Sequence, residues 1–284
     1  MFFQKQYHYL IAGLPELVFD EEKLGRGLLD FREEFKESLS KDDYHLVSSL
    51  FFTYDNENLI NHFVKEKDDF NPLGNYSLAD VEEQLGMLDT VFKQKGGLPA
   101  YMVEFIREFK EKKNTGIEQD WEHFLTEKYY HYLLQTKNKF LHDWVEFDLQ
   151  IKNILTAYYC RKYEINPEGE LVGENFITQQ LITSNAKDFG ISHEVDYLER
   201  ILQIAEIDNL AEREKQIDLL KWEYIDEHTF FHYFTIEKII GYMIKLMMVY
   251  RWASLDPETG RELFNSLIES MTKSYTFPEE FKIK

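Results

Sequence analysis

Apolar positions along this chain fall mostly three and four residues apart, the helical period. Leu24, Leu28, Phe31 and Phe35 keep that spacing behind Asp20, which is placed to cap a helix. Ser40 is placed to start another, with Tyr44, Val47, Phe51 and Tyr54 along one side. NPLGNYS at 71–77 interrupts the pattern, and Ser77 with Asp80 forms a capping-box-like start for the stripe Val81, Leu85, Leu88 and Phe92. After the turn KGGLP at 95–99, helical spacing resumes over 101–112, and again from Ile117 with Trp121, Phe124 and Leu125. Residues 121–163 contain no Pro or Gly, which predicts one very long helix or two joined by a tight polar turn near 137–139.

The later part of the chain repeats the style. Asp208 is placed to cap a helix carrying Leu210, Ile217, Leu220 and Tyr224. Ile236, Ile239, Ile240, Met243 and Met247 make a broad stripe, which predicts the most buried helix. DPET at 256–259 is a helix start, followed by Leu263, Phe264, Leu267 and Ile268 in period. No run of alternating β-branched residues occurs, so the predicted fold class is all-α. INPEGELVG at 165–173 is the candidate linker between an N-terminal half, 1–164, and a C-terminal half, 174–284, unless the two form one continuous domain.

Composition supports helices and narrows the partners. Only 6 Pro and 13 Gly interrupt 284 residues, and apolar residues reach 44%, enough for a substantial core. A formal net charge of −20 repels phosphate backbones and anionic lipid, so nucleic acid is disfavoured and a membrane location would be secured through another protein. Cys160 is the single cysteine, which removes internal disulfides and multi-cysteine zinc sites. No signal-like opening is visible, and the greasiest window, 236–253, carries Glu237, Lys238, Lys245 and Arg251, so the expectation is a soluble, cytoplasmic protein.

Candidate chemistry is sparse. AKDFG at 186–190 matches the magnesium-binding triplet of kinases, but the Gly-rich loop, strand lysine and catalytic loop are missing, so Phe189-Gly190 reads as a helix stop. His228 and His232 stand four apart, a ligand spacing if both lie on one helix, and they carry the alternative reading of a helical metalloprotein or metalloenzyme. Asp120-Trp-Glu-His123 is a single, shortened version of a di-metal motif. A further alternative is an interaction module with an unrelated partner.

The most informative feature is polar and repeated. YDNENLINHFVKEK at 54–67 sets Asp55 and Asn58 three residues apart on one helical face, ahead of an apolar run. NILTAYYCRK at 153–162 repeats the offsets of NLINHFVKEK, with Asn153 matching Asn58 and Asp148 just upstream. Gln150 stands at the position matching Asp55, and a third copy around 237–245 keeps the apolar pattern without the Asn. Short polar side chains at the edge of a packed face hydrogen-bond a neighbouring loop or helix end and fix register. The cluster therefore reads as architecture, with Asp55, Asn58, Asp148 and Asn153 as its signature.

With LFFTYDNENLINHF, EFDLQIKNILTAYYCRKY, YHYLIAGLPEL, FITQQLITSNAKDFG, 196–226 and FFHYFTIEKIIGYMIKLMMVYRW, the chain resembles an uncharacterised bacterial domain-of-unknown-function family associated with V-type ATPase gene clusters. More distantly, in the short signatures alone, it is similar to the funnel-shaped C-type component of V-type rotary ATPases, the d-type component of eukaryotic ones. The resemblance implies a funnel of about three similar helical units and a non-catalytic central-stalk role. Such a component links the shaft to the membrane proteolipid ring in proton or sodium transport. It needs no cofactor and is held peripherally at the membrane by the other V-type ATPase subunits.

Overall fold

Every regular element among the described residues of the computed structural model (5–19, 26–67, 69–87, 97–113 and 119–255) is a helix, as the spacing predicts. The order is α1 (His8–Gly13), α2 (Leu28–Ser38), α3 (Lys41–Ser49), α4 (Phe52–Leu59) with a π-helical turn at Ile60–Val64, and α5 (Leu78–Met87). Then come α6 (Ala100–Lys112), α7 (Trp121–Leu133), α8 (Lys139–Lys162), α9 (Phe176–Thr183), α10 (Leu198–Ala205), α11 (Leu210–Thr229) and α12 (Ile236–Ser254). Asp20, Leu24, Leu88, Phe92, Ile117, the start at 256–259 and the stripe Leu263, Phe264, Leu267 and Ile268 lie outside the described residues.

Capping chemistry sets several boundaries. Ser40 Oγ accepts from Asp43 N at 3.3 Å, and Ser77 and Asp80 bond each other's backbone N–H reciprocally. The long stretch without Pro or Gly is two helices, because Asn138 Oδ1 accepts from Leu141 N at 2.9 Å and starts α8 afresh. The cap of α11 is Asn209, whose Oδ1 accepts from Glu212 N at 3.0 Å; the expected Asp208 is displaced by one residue. The helix expected to run from Ser40 through Tyr54 breaks at Leu50–Phe51. There Ser49 Oγ donates to Leu46 O and the backbone switches to three-residue bonds, a local competition that ends the regular ladder.

α12 is the central rod. Ile239, Ile240, Met243, Leu246 and Val249 are fully buried, and the helix touches α2, α3, α8 and α11. Gly241 permits the approach of α11: a Cβ there would stand 2.9 Å from methyl groups of both Ile225 and Thr229. Aromatic rings fill the rest, with Phe147 stacked on Tyr224 at 3.8 Å, and Phe105, Phe109, Trp121 and Phe124 edge to face between α6 and α7. One cluster of buried side chains draws on both halves of the chain, and Leu171 and Val172 of the candidate linker are part of it. No helix among the described residues is long and apolar enough to cross a membrane.

Gly241→Val places three carbons where two methyl groups already stand. The expected loss is about 1–3 kcal/mol of unfolding free energy in urea titration. An unchanged midpoint would show that α11 and α12 are not in tight contact.

Candidate functional site

α4 presents the polar cluster to the loop that follows it. Asn58 Oδ1 accepts from Asn71 N at 2.6 Å while Asn58 Nδ2 donates to Asn71 O at 3.1 Å, so one side-chain amide holds both backbone groups of one residue. One turn earlier, Asp55 accepts from Asn75 N at 2.7 Å, Tyr76 N at 3.0 Å and Asn75 Nδ2 at 2.7 Å. Burial pushes the Asp55 carboxyl up from its ordinary value, and the donors of Asn75 and Tyr76 pull it back only in part. Gly74 is required by closeness: a Cβ would come within 2.8 Å of both Asn58 Nδ2 and Asp55 Oδ1. Arg32 of α2 secures the loop from the other side, donating to Leu73 O at 2.9 Å and Gly74 O at 3.1 Å.

α8 carries the same device. Asn153 Oδ1 accepts from Val172 N at 2.9 Å, and Asn153 Nδ2 donates to Val172 O at 2.9 Å. Gln150, three residues earlier, accepts a hydrogen bond from Tyr197 Oη at the position where the first copy has Asp55. Asp148 is not part of this second clamp. Five residues from Asn153 is about 140° around a helix, which turns Asp148 toward α7 and α11. There it accepts from Tyr130 Oη at 2.7 Å and pairs with Lys221 Nζ at 2.5 Å. Burial drives the Asp148 carboxyl up, but Lys221 and the Tyr130 hydroxyl outweigh that and hold it below its ordinary 3.8.

The third copy keeps an acid and loses the amide. Glu237 of α12, buried, accepts from Asn138 Nδ2 at 3.0 Å and from Thr235 Oγ1, so it too grips the start of another helix. Ile240, three residues on, is fully buried where the earlier copies have Asn. Beside the first clamp lies a cleft of about 530 Å³, lined by Asn71 and Leu73 of the first loop and by side chains of α7, α8, α11 and α12. Its acids are already matched: Asp148 by Lys221, and Asp218 by Arg251 and by Trp252 Nε1 at 2.8 Å.

The other sequence candidates sit in local capping and packing contacts. α11 ends at Thr229 and His232 lies beyond it, so His228 and His232 do not share a helical face. His228 stacks on Tyr224 at 3.8 Å, and its Nδ1 stands 2.8 Å from Tyr224 O, while His232 Nδ1 is 3.3 Å from Thr235 Oγ1. Asp120 caps α7 by accepting from His123 N at 2.9 Å. Among the described residues no three His, Cys, Asp or Glu side chains are grouped to hold a metal ion. Phe189-Gly190 ends no helix, since α9 stops at Thr183; both residues are left-handed in a separate turn. That turn is closed by Arg161, whose guanidinium lies 3.8 Å from the Phe189 ring centre and donates to Ala186 O and Ser184 O.

Removing either clamp strands a backbone N–H and C=O together. Asn153→Ala is expected to cost about 2–5 kcal/mol, and more than Asn58→Ala, because Val172 is buried whereas Asn71 is partly exposed. Equal small losses in urea titration would remove the clamp from the energetics. Asp148 gives a pH signature. A folded-state value below the unfolded one supplies stability above the unfolded value, and that stability is lost as pH falls through the folded value. The stability gap between the wild type and Asp148→Asn should therefore narrow as pH drops below about 4. A gap that stays constant in acid would contradict it.

No curated protein and no solved structure matches this chain. The model of one family does match, over residues 4–275, nearly the whole length. The chain belongs to that family, described as "Protein of unknown function (DUF2764)".

Proposed function

We propose that this protein is a non-catalytic coupling component of a V-type rotary ATPase or ATP synthase, similar to the C-type one and seated between the central shaft and the proteolipid ring. The observation that carries the reading is the repeated clamp: Asn58 and Asn153, at matching offsets, each hold one loop residue by both of its backbone groups. Glu237 grips Asn138 in the third copy. A part that transmits torque must not let its helices slide, and side-chain bonds to connecting loops oppose sliding where apolar faces alone do not. Close-packed aromatic layers add stiffness.

The chemistry of the cleft favours the same reading. Each acid that faces it is already matched to a cation, an arrangement that holds helices together and does not leave a carboxylate poised for proton transfer. The net charge of −20 suits a basic shaft end and keeps the body off anionic lipid unless partner subunits hold it there.

Affinity purification of the tagged chain from its native membranes is the test. Shaft and ring subunits should come with it, and the association should weaken as salt shortens the Debye length below about 10 Å. Recovery free of both, from membranes in which the rotary complex is intact, would overturn the role.

A further inference from the structure

The turn between α11 and α12 exposes aromatic rings that a folded chain would ordinarily cover. Phe231 is 80% exposed, Phe230 63% and Tyr233 60%, and Tyr9 of α1 beside them is 97% exposed. They share one place, because Tyr7 N donates to Phe234 O at 2.7 Å and the His8 ring lies 4.2 Å from the Phe234 ring.

The turn is braced from below and does not collapse. His232 N donates to Thr229 O at 3.0 Å, and the Tyr7 hydroxyl both donates to Asp43 and accepts from Ser40 N at the start of α3. Held this way, the turn presents the exposed rings of Phe230, Phe231 and Tyr233 as an aromatic tip.

Charge distinguishes this tip from the rest of the surface. Acids number 52 in 284 residues, so an even spread would place about four among the twenty residues of 5–15 and 228–236. Those two segments contain none; their ionisable groups are Lys5, His8, His228, His232 and tyrosines. Of the acids nearest the tip, Asp43 accepts from the Tyr7 hydroxyl, Asp226 is paired with Lys245, Glu237 is buried against Asn138 and Thr235, and Glu16 and Glu227 are exposed just outside the two segments.

We propose that the tip formed by Tyr9 and residues 230–234 inserts into the interfacial layer of an electrically neutral lipid surface. A specific protein interface takes about 20–30 residues a side, whereas this tip, Tyr9 with residues 230–234, is six residues. Aromatic rings with polar edges partition to the headgroup boundary, and neutral headgroups do not repel the acidic body behind them. The inference stands apart from the coupling role, since a chain can bind lipid without seating a shaft.

The test is co-sedimentation of the full chain with phosphatidylcholine vesicles. The wild type should sediment; the Phe230→Ser, Phe231→Ser double variant, with an unchanged melting curve, should bind at least about tenfold more weakly. Phosphatidylserine-rich vesicles should bind less than neutral ones. Phe231→Trp keeps an aromatic ring and reports directly: its added emission should shift to the blue and be quenched by brominated phosphatidylcholine. The proposal is overturned by a wild type that stays in solution, by self-association through the tip in place of vesicle binding, by binding that ignores the double substitution, or by a preference for anionic vesicles.

Discussion

A primary amide can meet a peptide group as a strand neighbour does, giving one donor and taking one acceptor. Asn58 and Asn153 do this to Asn71 and Val172, and with pairs such as Asp148–Lys221 and Glu237–Asn138 they give direction to helices whose apolar faces have none. Apolar contact sets few angles, whereas a bidentate bond fixes donor and acceptor together. The loops so fixed then supply further contacts. Gly74 lets the first loop sit against α4, Arg32 ties it to α2, and Val172 enters the core beside α8.

The three polar copies hold three different things. The first clasps a loop with both acid and amide, the second keeps the amide and replaces the acid by Gln150, and the third keeps an acid in Glu237 over a buried Ile240. What persists is the job of a helix-borne polar group gripping a connection. The chain carries 52 acids against 32 Lys and Arg, and none of those acids falls in 5–15 or 228–236, the segments that meet at the aromatic tip.

Helix existence is legible in the sequence because apolar spacing reports it, and Ser40, Ser77 and Asn138 mark starts through the capping chemistry of their own side chains. The pairing of Asp55 with Asn58 is legible from their shared face. Their partners are not, since a clamp grips backbone, and the identities of Asn71 and Val172 carry no signal of being held. Asp148 resembles a second acid because it is the nearest one; the face it occupies is set by the angle per residue, which points instead to Gln150. The histidine pair misleads for a related reason: EHTFFHYF contains no Gly or Pro, so nothing in it announces that α11 ends at Thr229. The π-helical turn at Ile60–Val64 likewise has no sequence mark.

Native-state hydrogen exchange at the amides of Asn71 and Val172 reaches the central claim most directly. These protons lie in loops, where exchange is ordinarily fast, yet each is bonded to a buried asparagine. The account predicts strong protection in the wild type. It also predicts loss of protection at Asn71 alone in Asn58→Ala and at Val172 alone in Asn153→Ala, with helical amides unchanged. Fast exchange in the wild type, or protection that survives both substitutions, would contradict it.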